Sequence, residues 1–416
     1  MPTIAYIANQ FPSPVEPYVM EEIEELRRRG VEVIPCSTRR PGDMLSEEQK
    51  SFSAETLYLP PLRLGLLASA VWLCMRKRNA LAGLMKRVVL GGNELPMRRM
   101  RALLHTWLGA YYALLLQRSG VQHIHVHHGY FASWIALVAA RLLGISFSMT
   151  LHGSDLLLHP HYLETKLKYC KFCMTVSEFN RRYILERYRE CDPRKILVQR
   201  LGVTPLEGSH SAAENIRQDS KVVMLAVGRL HPVKNHAFLV RACRVLKDRG
   251  IRFVCQIAGE GEERSSLQRL IHDLDLRAEV LLLGHLPIPQ LHACYADSTL
   301  VVLTSRSEGM PLVLMEAMAH GKTVLAPAIT GIPELVCDGE TGFLYRTGSL
   351  EDFVFQVERI SKLHSALGPI RERARQHVLE HFNREKNVTA FGEAFLRRLG
   401  RASGNNSYEN PVLQQI

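Results

Sequence analysis

The stretch Thr304–Pro327, TSRSEGMPLVLMEAMAHGKTVLAP, predicts a turn, a helix and a strand in immediate succession. Polar residues fill the turn at 305–309, and the apolar run 312–319 has the length of a short buried helix. Pro311 stands at the first helical turn, which proline favours because its missing N–H would have no partner there. Gly321 stands where a left-handed residue closes a helix, and the apolar residues after it predict a buried strand.

Two carboxylates flank this helix, Glu308 just before it and Glu316 within it. The first turn of a helix exposes free backbone N–H groups and therefore attracts anions. A carboxylate directly ahead would repel an anion in contact with it, so we expect Glu308 to face a neutral or cationic group beside a phosphate. A sugar attached to a phosphate fits that description. The alternative is a surface turn that caps a core helix, with Glu316 solvated.

The composition is that of a soluble globular protein, with 46% hydrophobic and 22% charged residues among 416. This length predicts two or three domains. The net charge of +11 suggests an anionic partner, which is a nucleotide, an anionic membrane surface or a nucleic acid. We exclude nucleic acid, because no nucleic-acid-binding module is evident and the aromatic residues do not alternate with basic ones as base stacking requires.

Cysteine usage and the N-terminus predict a cytoplasmic protein. The nine cysteines are scattered without a disulfide framework, and the Cys170–Cys173 pair has no second pair at zinc-site spacing, so a packed structural pair is favoured over a metal or redox site. The N-terminal residues predict a strand and not a signal peptide. The apolar run 62–75 is too short to cross a membrane.

Strand and helix patterns alternate along both halves of the chain. A strand at 3–8, a proline-rich loop at 11–17, a helix and a second strand at 31–36 form a unit of the doubly wound kind. From 221 to 303 the alternation is strict, which predicts a parallel sheet with helices on both faces. The fold class is therefore α/β, with two doubly wound Rossmann-like domains that face each other across a cleft.

The predicted boundaries follow changes in composition. They are an N-terminal domain at 1–203, a polar linker at 204–220, a C-terminal domain at 221–369, C-terminal helices at 370–400 and a disordered tail at 401–416.

Residues 62–117 are predicted to be helical, apolar and strongly basic. Nine Lys and Arg residues fall within 62–104, against the single acidic residue Glu94. One interpretation is a basic amphipathic face that lies on an anionic membrane, which would make the protein peripheral to the inner face of the cell membrane. The other interpretation is an ordinary helical layer whose charged groups are solvated.

A histidine-rich strand, HIHVHH at 123–128, precedes a second histidine motif, HGSD at 152–155. Such a tract suggests a metal, but alternating residues of one strand are too far apart to ligate one ion without other partners, so we predict no metal site. His152 follows a strand at its C-terminal end, where open α/β sheets carry out their chemistry. It is a better functional candidate than the strand histidines, although it is also compatible with a satisfied core histidine.

Arg229 and Lys234 lie in one loop at the C-terminal end of a strand. With the helix N-terminus near Glu308 they predict a diphosphate site, where cations stabilise a departing diphosphate without a metal. Glu316 is placed to accept hydrogen bonds from ribose hydroxyls, and the loop 284–287, which contains Leu286, is placed to pack on a base. The alternative for the two cations is that they are solvated.

Several segments together resemble the nucleotide-sugar glycosyltransferases of family 4 (glycosyl transferases group 1), which have the GT-B fold and retain the anomeric configuration. In the second half the resemblance lies in GRLHPVKN (228–235), GEGEER (259–264), GHLP (284–287), EGMPLVLMEAMAHGKTVLA (308–326), GIPELV (331–336) and DGETGFLY (338–345). In the first half, FPSPVEPYVMEEIEELRRRGVEV, HIHVHHG, TLHGSDL and TVSEFNRRYI resemble the colanic acid and exopolysaccharide branch.

The resemblance implies roles for individual residues. His152 and Glu308 would be catalytic, with His152 beside the donor sugar. The implied donor-binding residues are Arg229, Lys234, Leu286, Glu308, Gly309, Met310, Pro311, Leu312 and Glu316. Glu16 and Asp155 would lie on the acceptor side of the cleft, and the C-terminal helices would cross back to the first domain. No cofactor and no essential metal are implied.

The implied reaction transfers a hexose from a UDP- or GDP-sugar to a glycan or polyprenyl-linked glycan acceptor, with retention, in polysaccharide biosynthesis. The sequence departs from the family pattern at Val15 and Pro17, which flank Glu16 where small hydroxyl residues are usual, and at Met310-Pro311. These departures bear on sugar identity. Two alternatives are a nucleotide-sugar epimerase of the same fold and an inactive sugar-nucleotide-binding protein.

Overall fold

The computed structural model describes residues 2–13, 15–42, 45–91, 94–204, 221–363 and 366–400. Most of the predicted linker, 205–220, and the whole predicted tail, 401–416, lie outside the described residues. Strands and helices alternate along the chain, as the sequence pattern predicts.

The strands are β1 (Thr3–Gln10), β2 (Glu32–Arg39), β3 (Leu57–Tyr58), β4 (His123–His127), β5 (Ser146–Leu151), β6 (Cys173–Thr175), β7 (Ile196–Val198), β8 (Val222–Val227), β9 (Phe253–Ala258), β10 (Val280–Gly284), β11 (Leu300–Val302), β12 (Thr323–Pro327) and β13 (Phe343–Tyr345). The helices are α1 (Pro17–Arg28), α2 (Glu47–Glu55), α3 (Leu64–Arg76), α4 (Arg78–Val89), α5 (Pro96–Leu116), α6 (Phe131–Leu143), α7 (Ser154–Leu157), α8 (Leu163–Tyr169), α9 (Glu178–Arg187), α10 (His236–Asp248), α11 (Arg264–Asp273), α12 (Ile288–Asp297), α13 (Leu312–Ala319), α14 (Ile332–Leu335), α15 (Leu350–Leu363), α16 (Leu367–His381) and α17 (Arg384–Gly400).

Two parallel sheets organise these elements. The first has seven strands in the order β3-β2-β1-β4-β5-β6-β7, and the second has six in the order β10-β9-β8-β11-β12-β13. In each sheet the chain reverses its direction of winding between two central strands, β1 and β4 in the first and β8 and β11 in the second. Ligands of doubly wound folds bind outside the carboxyl ends of the strands at such a switch point. The α/β class and the doubly wound sheets are confirmed.

Alternation along β1 divides the core of the first sheet into two layers. Ala5 and Ile7 face the layer formed by α3, α5 and α6, whereas Ile4, Tyr6 and Ala8 face the layer under α1. This is the period-two pattern of a strand that is buried on both faces.

The C-terminal helix α17 packs on the first sheet, although it follows the second sheet in sequence. Phe391 and Phe395 join the buried layer that contains Ile4 and Tyr6. Arg384 at the start of α17 donates to Glu21 on α1 at 2.8 Å. The end of the chain that the structure describes therefore ties the two sheets together.

The stretch Thr304–Pro327 folds close to its prediction. Helix α13 spans Leu312–Ala319, the predicted run, and Pro311 is its N-cap and not a residue of its first turn. Gly321 has a φ of +65° after the helix ends, the left-handed conformation that glycine accommodates without strain. The strand β12 follows at once, so the turn 305–309 is fixed between β11 and α13.

Among the described residues, none of the helices combines the length and the apolar character that crossing a membrane requires.

Candidate functional site

Two turns at the carboxyl ends of strands, one from each sheet, meet at a contact between glycine backbones. A Cβ built on Gly153 would lie 2.6 Å from the backbone nitrogen of Gly309, and one built on Gly309 would lie 2.5 Å from the carbonyl oxygen of His152. The turn after β5 therefore presses directly on the turn before α13. This contact brings the predicted catalytic residues His152 and Glu308 to adjoining backbone positions.

Lys234 and Glu308 form an ion pair at this junction. Lys234 Nζ lies 2.6 Å from Glu308 Oε1, and the two side chains are only 19% and 12% exposed. The loop that carries Lys234 is tied to the turn after β11, because Thr304 Oγ1 donates to the Lys234 carbonyl at 3.0 Å and the Arg306 N–H donates to Val233 at 2.8 Å. The predicted diphosphate cation and the predicted sugar-facing carboxylate are thus direct partners.

Arg229, the second predicted cation, is exposed at the end of β8. Its charge acts on two groups of the opposite domain. After His128 and His127 it contributes to the lowered pKa of Glu16, and it opposes the burial that raises the pKa of Tyr130. Arg229 therefore faces the first sheet across the cleft.

The N-terminus of α13 supplies backbone donors beside this pair. No side chain among the described residues caps it, and the first turn of a helix leaves its N–H groups without helical partners. Met310 is 5% exposed and packs with Leu314 in the interior, so its side chain does not line the cleft. Leu286 is half-buried against the same cluster. At Met310, only the backbone is available to a ligand.

Glu316 lies on α13 and accepts a hydrogen bond from the Tyr295 hydroxyl at 2.8 Å. Burial raises the pKa of Glu316, and the Tyr295 hydrogen bond offsets part of that rise. Tyr295 is fully buried and its ring stacks on His320, which fixes the hydroxyl that orients the carboxylate.

On the opposite wall, Glu16 pairs with His128. Glu16 Oε1 lies 2.9 Å from His128 Nε2, and His128 Nδ1 lies 3.7 Å from Asp155 Oδ2, an ion-pair distance. Burial would lower the pKa of His128, but the two carboxylates outweigh it and raise the pKa to about 10. Burial raises the pKa of Glu16, whereas the His128 hydrogen bond and charge lower it by more. His128 is therefore a fixed cation beneath Glu16.

The structure places Asp155 beneath the cleft and not on its surface. It is fully buried, and its carboxylate accepts from the backbone N–H groups of His152, Gly153 and Gly129. A side chain with no exposed surface does not contact an acceptor, so the assignment of Asp155 to the acceptor side is replaced by a role in shaping the turn that holds His152.

His152 is joined to two residues that the sequence did not single out as functional. Its Nε2 lies 3.0 Å from His127 Nδ1, and His127 Nε2 lies 2.8 Å from Glu22 Oε2. Burial, followed by the charge of His128, lowers the pKa of His152 well below its usual value, so the imidazole is neutral. Glu22 lies on a helix with several glutamates, and nothing in the sequence distinguishes it from the others. Only the packing of the helix shows that it is buried.

Glu22, His125 and His127 offer ligand atoms within 4.8 Å of one another, a spacing that is compatible with a metal site. His125 hydrogen-bonds Ser148 and Thr150, and His127 Nε2 already contacts Glu22 and the Tyr6 hydroxyl. The ligand atoms thus satisfy one another as a hydrogen-bond network.

Two family models match the chain in succession. The model described as Glycosyltransferase Family 4 matches residues 15–205, and the model described as Glycosyl transferases group 1 matches residues 210–377. The amylovoran biosynthesis glycosyltransferase AmsK of Erwinia amylovora is 31% identical over 199 residues, which are 46% of this chain and 48% of that protein. The chain spans about half the length of the first curated relatives that it matches.

Two solved structures share the fold over nearly the whole chain. Sucrose-phosphate synthase of Thermosynechococcus elongatus has a TM-score of 0.73 and 17% identity, covering 97% of this chain and 100% of that one. HepE of Anabaena, solved with UDP and glucose, has a TM-score of 0.68 and 17% identity, covering 96% and 100%. Because the two family models together match most of the chain, it belongs to glycosyltransferase family 4, and the two solved structures show that it has the GT-B fold.

Proposed function

We propose that the protein transfers a hexose from a UDP- or GDP-sugar to a glycan acceptor in polysaccharide biosynthesis, with retention of configuration. The observation that carries the proposal is the junction at Gly153 and Gly309, where Lys234, Glu308 and His152 converge from the two domains. AmsK is named for amylovoran biosynthesis, and HepE is solved with UDP and glucose, which supports a nucleotide-sugar donor and a polysaccharide product.

In the proposed mechanism the diphosphate lies against Lys234, Arg229 and the N-terminus of α13. These groups stabilise the negative charge that grows on the diphosphate as its bond to the sugar carbon breaks, without a metal. Lys234 exchanges Glu308 for the phosphate oxygens, which releases the carboxylate toward the sugar. The acceptor hydroxyl then attacks the sugar carbon from the face that the diphosphate leaves, and its proton passes to the oxygen of the departing diphosphate.

The neutral state of His152 suits this chemistry. The sugar carbon becomes electron-deficient as the diphosphate departs, and a protonated imidazole beside it would raise the energy of that state. Burial keeps His152 uncharged. His128, the neighbouring cation, is instead neutralised by Glu16 and Asp155.

The test is a panel of UDP- and GDP-sugars with the purified protein. We expect one nucleotide series to raise the melting temperature and one sugar to be transferred, with the anomeric configuration of the product equal to that of the donor by NMR. A product with the inverted anomeric configuration would rule out the retaining mechanism. Donor conversion without any acceptor would show an epimerase.

We also propose that the acceptor is lipid-linked and that the protein meets it at an anionic membrane surface. Helix α3 buries only Ala70, and its outward side is apolar, with Leu64 85%, Trp72 55% and Met75 61% exposed. On α5, which packs against α3, Met97 is 55% and Met100 60% exposed. We call these five residues the α3–α5 face. An exposed apolar surface of this kind marks an interaction site.

The charges around the α3–α5 face specify the partner. The segment 62–104 carries nine basic residues against one acidic residue, so its partner is anionic as well as apolar, which describes a bilayer surface with acidic headgroups. Helix α5, which carries part of this face, also reaches the residue after Tyr130, because its His105 ring stacks on Phe131 at 4.2 Å.

Cosedimentation with phosphatidylglycerol and phosphatidylcholine vesicles tests this surface. We expect binding to the anionic vesicles that weakens with salt and falls at least tenfold in the double variant Trp72→Ser, Met75→Ser. Phe355→Ser, which removes an equally exposed aromatic residue from α15, is the matched control. Equal binding to both vesicle types, or no loss in the double variant, would contradict the proposal.

A further inference from the structure

Glu22 is a carboxylate buried in the core of the first sheet. It is 4% exposed, and its Oε2 accepts from the Tyr6 hydroxyl and lies 2.8 Å from His127 Nε2. A buried carboxylate is costly unless it is hydrogen-bonded, and here Tyr6 and His127 supply the partners. Tyr6 keeps its proton, because burial and then the charge of Glu22 raise its pKa. The single Tyr6 proton therefore goes to Glu22.

The protons of the two histidines follow from this arrangement. Glu22 accepts, so His127 Nε2 carries the proton that it donates. A neutral imidazole has one N–H, so in the neutral form of His127 its Nδ1 is an acceptor. Since His127 Nδ1 lies 3.0 Å from His152 Nε2, the latter is the donor. His152 Nδ1 is then the unprotonated nitrogen, and it receives no hydrogen bond from the described residues.

We infer that Glu22 is a positioning residue that acts through His127 to hold His152 in the tautomer protonated at Nε2, so that its Nδ1 accepts a hydrogen bond from a hydroxyl group of the bound sugar. The identity of the bound group as a sugar rests on the proposed function, whereas the tautomer does not. The ring of Tyr18 stacks on His152 at 4.9 Å and holds the imidazole in the plane that this chain of hydrogen bonds requires.

Replacement of Glu22 by an apolar residue should invert the network. The Tyr6 oxygen lies 2.7 Å from His127 Nε2, so in Glu22→Met the freed hydroxyl proton turns to that nitrogen. His127 then carries its proton on Nδ1 and donates to His152 Nε2, which forces the His152 proton onto Nδ1. A substrate hydroxyl would meet a donor in place of an acceptor. Glu22→Gln keeps an oxygen acceptor at the same position and should preserve the wild-type arrangement.

The tautomer is measured in the full-length protein by two-bond ¹H–¹⁵N correlation with ¹⁵N-histidine labelling, with His152 assigned from the spectrum of His152→Asn. We expect the Nε2–H tautomer in wild type and Glu22→Gln, and the Nδ1–H tautomer in Glu22→Met. The Nδ1–H tautomer in wild type overturns the inference, whatever the activity. This outcome is distinct from a failure of the proposed function, in which no donor is turned over although the tautomer is as expected.

Turnover provides the second readout. In Glu22→Met we expect kcat to fall about ten- to a hundredfold, the cost of one hydrogen bond in the transition state, with the UDP affinity unchanged. Glu22→Gln should retain kcat within about threefold of wild type. His123→Gln is the matched control, since His123 is a buried histidine of the same strand that bonds Ser146 and Ser148 and does not touch His152. If Glu22→Met fails to fold, the wild-type tautomer and the kcat of Glu22→Gln still decide, and a full loss of kcat in Glu22→Gln contradicts the inference.

Discussion

Gly153 and Gly309 lie backbone against backbone across the cleft, with 2.6 Å between the position of a Cβ on Gly153 and the nitrogen of Gly309. The contact joins the turn that carries His152 to the turn that carries Glu308. Glycine is needed there because any side chain would occupy the space of the opposite backbone. The relative placement of the two proposed catalytic residues depends on this contact.

Gly153→Ala should therefore separate the two walls. Because Cβ atoms essentially never approach a heavy atom within 3.0 Å, we expect the turns to move apart and kcat to fall at least tenfold, with UDP still bound by the second domain. The readouts are initial rates and UDP titration. Gly368→Ala, at a site with nothing within 4 Å of the added Cβ, is the control. Full activity in Gly153→Ala would show that this contact does not set the catalytic geometry.

The Lys234–Glu308 pair predicts opposite effects on binding and turnover. Lys234→Ala should weaken UDP or GDP binding strongly, because it removes a charged hydrogen-bond donor worth about 1.5–3 kcal/mol. Glu308→Gln should leave that affinity equal or higher, because the diphosphate no longer competes with a carboxylate for Lys234, while kcat falls about 10²–10³-fold. Calorimetry measures the nucleotide affinity and initial rates measure kcat, so the effects on binding and on turnover are obtained separately. Parallel loss of affinity in both variants would argue that the pair is only structural.

Glu316 and Tyr295 predict discrimination at the ribose. Glu316→Ala should weaken UDP binding by about 1.5–3 kcal/mol, and Tyr295→Phe by about 0.5–1.5 kcal/mol, because the second change only loosens the carboxylate. The sharper comparison uses 2′-deoxy-UDP. Wild type should prefer UDP, and Glu316→Ala should bind the two ligands alike. If Glu316→Ala still preferred UDP over 2′-deoxy-UDP as strongly as the wild type does, the ribose would bind elsewhere.

The buried cation His128 predicts a pH dependence of stability. Its pKa is raised from 6.5 to about 10 in the folded state. Its contribution to the free energy of unfolding is therefore fully present below pH 6.5 and is lost as the pH rises toward 10. Glu16 has a lowered pKa, so its contribution to the free energy of unfolding is lost at acidic pH, as the carboxylate becomes protonated. We expect the free energy of unfolding to decline between pH 6.5 and 10.

Urea denaturation across that range measures the decline. His128→Asn should cost about 3–5 kcal/mol near neutral pH, because it leaves the buried Asp155 carboxylate and the partly buried Glu16 carboxylate without their cation, and it should flatten the alkaline slope. His272→Asn, at an exposed histidine, should do neither. An unchanged slope in His128→Asn would assign the titration to other groups.

Much of the fold was predictable because strand and helix periods are local properties. The strands Val222–Val227 and Phe253–Ala258 lie in the stretch 221–303, where strict alternation was predicted, and each is an apolar run closed by glycine. Lys234 and Glu308 could be proposed as neighbours because both follow strands of one parallel sheet, and the carboxyl ends of such strands share an edge.

The rest depended on tertiary packing that no local pattern contains. Glu22 looks like its neighbours on α1, and only the stacking of α1 on β1 and β4 buries it against Tyr6 and His127. The family resemblance placed Asp155 on the acceptor side of the cleft, but its carboxylate points inward to three backbone N–H groups. The direction of one side chain in a tight turn is not fixed by the sequence around it.

We propose that the interdomain junction at Gly153 and Gly309 catalyses sugar transfer. The most direct test is the release of nucleoside diphosphate from a panel of UDP- and GDP-sugars by the purified protein, with anionic membranes as the acceptor source. We predict release from one donor, matched one-to-one by sugar incorporated into the membrane fraction, and at least a hundredfold slower in Glu308→Gln. The account is contradicted if no donor is consumed, or if Glu308→Gln releases nucleotide as fast as the wild type.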